Sequence, residues 1–183
     1  MKVVKLGMIL LGAAAMTGCG VSLQPFFTAA NLYDDPALEG RWSGEDSTWF
    51  IKHTGFAQYT ITTCDDNAQA CTETNADTVA TLFQVNGVSF LDFQEKADNG
   101  LSDAIRPHGV FQFRAVWERG MEISVLDAGR LGAEARRQGL QLEHLFIENR
   151  FLLTASPAQL QSFLAGHSSD SRYFVEWQRL ERN

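Results

Sequence analysis

The chain has 183 residues, which suits one domain with at most a tail. Apolar residues make up 45% and charged residues 20%, ordinary globular usage that excludes an intrinsically disordered chain. With 15 basic against 22 acidic side chains and a formal charge of -7, it lacks the cationic footprint that holds phosphate backbones, so no nucleic-acid partner is expected.

The N-terminus reads as an address. Lys2 and Lys5 precede an apolar stretch from Leu6 to Ala15, and Met16, Thr17, Gly18 and Cys19 follow. A basic start, about ten apolar residues and small residues at the end describe a secretory signal peptide. An uncleaved anchor is the alternative, but the run falls short of the roughly 20 residues that cross a bilayer. Thr17-Gly18-Cys19 resembles the lipobox of bacterial lipoproteins, with Met16 where Leu is usual. The resemblance covers only the first 20 residues. It implies a diacylglycerol on the Cys19 sulfur, cleavage before Cys19 and acylation of the new amino group. Residue 20 is Gly and not Asp, which by the same resemblance implies sorting to the outer membrane, facing the periplasm. The expected division is a signal peptide over residues 1–18, a lipidated N-terminus and tether over 19–38, and a single β-rich domain over 39–183. Removing residues 1–18 leaves 13 basic against 22 acidic side chains, a formal charge of -9. Anionic lipid does not attract such a chain, so acyl chains, at about 0.8 kcal/mol per buried methylene, must do the anchoring.

Within the tether, Phe26, Phe27, Leu32 and Tyr33 are too apolar for a free linker, so part of it should pack on the domain; Asp34-Asp35-Pro36 signals a turn. From Gly40 onward the pattern is strand-like. Trp49 and Ile51 alternate with their neighbours, and Ala57, Tyr59, Ile61 and Thr63 share a face, as do Val79, Thr81, Phe83 and Val85. Asn86-Gly87 between Val85 and Val88 is a strong hairpin signal. Residues 95–109 read as a long loop. Phe111, Phe113, Ala115 and Trp117 alternate with polar or smaller neighbours, and Glu118-Arg119-Gly120 turns the chain into Met121, Ile123 and Val125, a second hairpin. Two helices interrupt. Asp127 caps a segment running through Leu131, Ala135 and Gln138 to Gly139. Ser156-Pro157-Ala158-Gln159 carries a capping box with Pro at the first position; Leu160, Phe163 and Leu164 form the apolar stripe and Gly166 stops it. A last strand is expected over Tyr173, Val175, Trp177 and Leu180. The fold class is therefore mainly β, an antiparallel barrel or sandwich with two short helices before the last strand.

Gly40-Arg41-Trp42 near the domain start resembles the Gly-x-Trp opening of lipocalins and related calycin barrels. The resemblance rests on three residues and implies that Trp42 closes the barrel base against a basic residue of the last strand, Arg179 or Arg182. Read without it, Trp42 is a core aromatic at the start of a strand.

Little in the sequence points to chemistry. Cys64 and Cys71 bracket a polar loop and in an oxidising compartment form a disulfide, stabilising by about 2–3 kcal/mol. Metal binding is the rival but needs two further ligands at suitable spacing. His53, His108, His144 and His167 are scattered, so no metal site is expected. Gly166-His167-Ser168-Ser169-Asp170 approaches a nucleophile elbow but ends in Asp and follows a helix, where the elbow needs a strand. Asp65, Asp66, Glu73 and Asp77 lack the glycine turn of a calcium loop. Asp92 and Glu95 read as strand-end solubility, and Arg130, Arg136 and Arg137 as a solvated helix face. No catalytic residue, and no cofactor beyond the lipid on Cys19, is expected; the protein is read as no enzyme. Thirteen Phe, four Trp and three Tyr either line a barrel cavity or fill it. Filled, they suit a lipid-anchored envelope protein that binds an envelope partner or assists assembly. Open, they suit a lipocalin-like carrier of a small apolar ligand.

Overall fold

The structure is a computed structural model that describes residues 21–45, 47–65, 78–95, 106–117, 120–147, 150–175 and 177–183. Eight antiparallel strands close a barrel in the order β1-β10-β7-β6-β5-β4-β3-β2, and a separate two-stranded hairpin, β8-β9, lies outside it. The barrel strands are β1 (Gly40–Ser43), β2 (Ser47–Gly55), β3 (Gln58–Asp65), β4 (Thr78–Val85), β5 (Val88–Glu95), β6 (Gly109–Trp117), β7 (Gly120–Val125) and β10 (Gln178–Arg182). Between β7 and β10 the chain leaves the barrel to form α1 (Ala128–Arg136), β8 (His144–Ile147), β9 (Arg150–Leu153) and α2 (Pro157–His167).

The local signals explain most of these elements. Asn86 and Gly87 take φ values of 50° and 79°, the positive angles a two-residue hairpin turn requires, and join β4 to β5 through Val85↔Val88. The β6-β7 hairpin forms where the Phe111 to Val125 alternation placed it. Asp127 caps α1 by accepting from Gly129 N–H and Arg130 N–H, and Ser156 with Gln159 completes the capping box of α2.

Three boundaries differ from the sequence reading. Gln138 lies beyond α1, at φ 59°. Gly166 lies inside α2, which runs on to His167. The last strand spans 178–182 and not 173–180: Tyr173 belongs to a turn, its N–H donating to Asp170 O, and Leu180 alone of the strand is buried. The β8-β9 hairpin has no counterpart in the sequence reading, because its four-residue strands are apolar on both faces and show no period of two.

Two cores result. Inside the barrel, alternate residues of each strand meet: Trp42, Trp49, Ile51, Tyr59, Ile61, Leu82, Leu91, Phe93, Phe111, Phe113, Met121, Ile123 and Leu180. The opposite face of β4, β5 and β6 contributes Phe83, Phe90 and Val110 to a second core, completed by Val21 and Phe26 from the N-terminal segment and by α1, β9 and α2. A barrel wall covered on its outside is apolar on both faces there, as the run Leu82-Phe83 in β4 shows.

Candidate functional site

The barrel interior is the first place a ligand would lie. Ring order puts β2 and β6 diametrically opposite each other. Trp49 of β2 and Phe111 of β6 nevertheless touch, ring centroids 5.4 Å apart in an edge-on arrangement. Phe111 in turn stacks on Phe93 at 4.3 Å. Gly109 faces Phe93 across the β5-β6 pair, and a Cβ there would lie 2.2 Å from Phe93 Cζ, so this glycine is what gives the ring its place in the interior. The barrel is bridged by side chains at this level.

One barrel end is plugged. A single 3-10 turn, Pro36–Leu38, precedes β1 and buries Leu38 against the interior cluster. Trp42 Nε1 donates to Leu38 O at 2.9 Å. The Arg182 guanidinium lies over the Trp42 ring, 5.5 Å from its centroid, and donates to Glu39 O at 2.5 Å. Of the two arginines considered, Arg182 meets Trp42, while Arg179 pairs with Glu181 at 3.0 Å. Beside the plug, Asp34 accepts from Ala57 N–H at 2.9 Å and lies 2.8 Å from His53 Nε2. The Ala57 bond first, then His53, holds the Asp34 carboxyl below its ordinary value. The Tyr59 hydroxyl donates to Asp35 O, and burial pushes it up to about 12.

The N-terminal segment is a strap rather than a spacer. Val21, Ser22 and Phe26 are fully buried. Val21 N–H and Ser22 N–H donate to His108 O, His108 N–H donates back to Ser22 O, and the other edge pairs with β9 through Leu153 N–H to Val21 O and Leu23 N–H to Leu153 O. The strap is therefore a strand-like bridge between the barrel and the hairpin. A side-chain buckle secures it: Asp92 Oδ2 accepts from Phe26 N–H at 2.8 Å, and Asp92 Oδ1 lies 2.7 Å from His108 Nδ1. Gln94 Nε2 sits 2.9 Å from His108 Nε2 and donates to Arg106 O. Asp92 is 3% exposed and burial raises its pKa, with His108 and the Phe26 N–H pulling the other way. The reading of Asp92 as strand-end solubility is thereby overturned. The available signal was its place between Leu91 and Phe93, on the same face as Phe90 and therefore on a wall that the chain covers.

Other singled-out residues have structural partners. His144 Nδ1 contacts Leu142 O, and His167 packs on Phe163 and Tyr173 beside Asp170. Arg172 holds the Asp170 carboxyl down to about 2. Arg130 donates to Ser171 O and Phe174 O, tying α1 to the turn before β10, so it is not merely a solvated helix residue. Arg136 lies over Phe146 and Arg137 pairs with Glu134. Among the described residues no three His, Cys, Asp or Glu side chains gather as a metal site would need. Cys64, near the end of β3, is disulfide-bonded; Cys19, Cys71, Asp66, Glu73 and Asp77 lie outside the described residues.

No family model, curated protein or solved structure matches this chain.

Proposed function

We propose that this protein is a lipid-anchored lipoprotein of the bacterial envelope, held at the outer membrane through Cys19, whose filled barrel serves as a rigid, non-enzymatic body for binding an envelope partner or assisting assembly. The signal-peptide pattern and Thr17-Gly18-Cys19 support the anchoring. The observation that carries the role is the Trp49–Phe111 contact spanning opposite barrel walls, with Leu38 plugging one end, because a carrier needs a continuous cavity of about 300 Å³ or more. Cys71 is the partner we assign to Cys64, closing the loop between β3 and β4 in an oxidising compartment.

Metabolic labelling with a clickable fatty acid tests the anchor. Wild type takes up label and pellets with envelopes, whereas Cys19→Ala takes up none and stays with the unprocessed or soluble fraction. Equal labelling of both removes the lipoprotein assignment. Titration of the purified protein with an apolar fluorescent dye tests the role: saturable one-to-one binding in a pocket would return the carrier reading to first place.

A further inference from the structure

The β8-β9 hairpin ends in apolar side chains that the described residues cover only in part. Phe146 is 40% and Ile147 45% exposed. Adjacent residues of a strand point to opposite faces, so β8 is partly open on both faces at this end. Two arginines flank these side chains: the Arg136 guanidinium lies 4.6 Å from the Phe146 ring centroid, and Arg150 is exposed on the partner strand opposite Ile147. Arg137 is paired with Glu134, and Glu148 follows Ile147 in the sequence, so among the described residues the two arginines are the cations this end offers. Apolar side chains rimmed by arginines match the boundary between acyl chains and phosphate headgroups.

The strap places this end close to the anchor. Ser22 bridges Leu153 in parallel, so Val21, the residue before it, lies toward the side of β9 on which Arg150 stands. Cys19 stands two residues before Val21, within about 7 Å even if fully extended. Val21 is fully buried, so the chain is fixed to the folded body from that residue on.

We infer that Phe146 and Ile147, flanked by Arg136 and Arg150, form a second membrane contact that dips into the phospholipid surface beside the lipidated Cys19 and fixes the orientation of the barrel. This inference rests on the lipoprotein reading proposed above.

The test uses the mature lipidated chain in vesicles of phosphatidylethanolamine and phosphatidylglycerol at 3:1. Ile147→Cys carries an environment-sensitive fluorophore, and Lys52→Cys, exposed on β2 and so across the barrel from β6, carries the same fluorophore as control. The label at 147 is expected to shift to the blue and to lose at least half its emission to bromine-bearing acyl chains, while that at 52 stays unquenched. Both positions are exposed, so the labels displace no core packing; retention of the wild-type melting temperature checks this. Fatty acid on Cys19 with equal, water-like signals at both sites overturns the hairpin contact alone and leaves the patch to a protein partner. Absence of fatty acid on Cys19 overturns the contact together with the reading it rests on.

Discussion

Asp92 shows how one carboxyl can work against the usual acid sensitivity of a fold. Burial raises its pKa above the ordinary 3.8, so the folded chain holds this proton more tightly than the unfolded chain does. Its contribution to stability is therefore full below pH 3.8 and declines as the pH climbs through the raised folded value. Asp34 and Asp170 act oppositely: their carboxyls are lowered, so their contributions are present above 3.8 and fade as acid is added. Asp92→Asn keeps an acceptor for Phe26 N–H and removes the ionisation. The variant should gain on wild type as the pH is raised from about 4 toward 7, read as the difference in melting temperature across that range. A difference that is flat, or that shrinks with rising pH, contradicts the burial argument. Asp92→Ala, by contrast, strips the acceptor from both Phe26 N–H and His108 Nδ1 and should cost about 1–3 kcal/mol at pH values where the protein is otherwise most stable.

Among elements, β5 and β6 depend on a void left by a missing side chain. The Phe93 ring covers Gly109 from the neighbouring strand, so Gly109→Ala must drive the ring off its seat against Phe111. Overpacking of this kind costs about 1–3 kcal/mol. A denaturant midpoint should fall accordingly for Gly109→Ala and recover in part when Phe93→Leu is added; an unchanged midpoint would show that the strands part easily. The same element scale explains what could be read from residues alone. Asn86-Gly87 announced its hairpin because few residues accept two successive positive φ values, and Ser156 with Gln159 announced α2 because the capping box is a local bond pattern. Trp42 and Arg182 met as the Gly-x-Trp resemblance implied. What was illegible lacked a local cause. The last strand carries a single inward apolar residue, Leu180, whereas the run Tyr173 to Trp177 before it is richer in aromatic and β-branched residues and so has the stronger strand pattern. The β8-β9 strands are apolar on both faces and so show no period of two, and the buckle joins residues 66 positions apart. Nothing near Asp92 in sequence names Phe26.

For the whole molecule, the decisive property is that two cores share one wall. The interior cluster and the outer cluster meet back to back through β4, β5 and β6, so the barrel is held from within by aromatics and from without by the strap, the helices and the hairpin. The presenter role proposed above draws on this body, since a container must keep its inner residues apart. Trp49 is where the two designs diverge, because it is the side chain that crosses to Phe111. Trp49→Ala should cost about 3–5 kcal/mol, the range for truncating a buried aromatic whose surroundings relax only in part. The space it vacates is apolar and walled by Phe111 and its neighbours, and such cavities bind small aromatic molecules. Millimolar indole should therefore raise the melting temperature of Trp49→Ala by several degrees through preferential binding to the folded state, while leaving wild type unmoved. Stabilisation of the wild-type protein by indole would mean that an apolar cavity already exists beside these rings, and the container design would then be the correct one. A Trp49→Ala variant that melts with wild type would mean that the contact across the barrel contributes nothing to its stability.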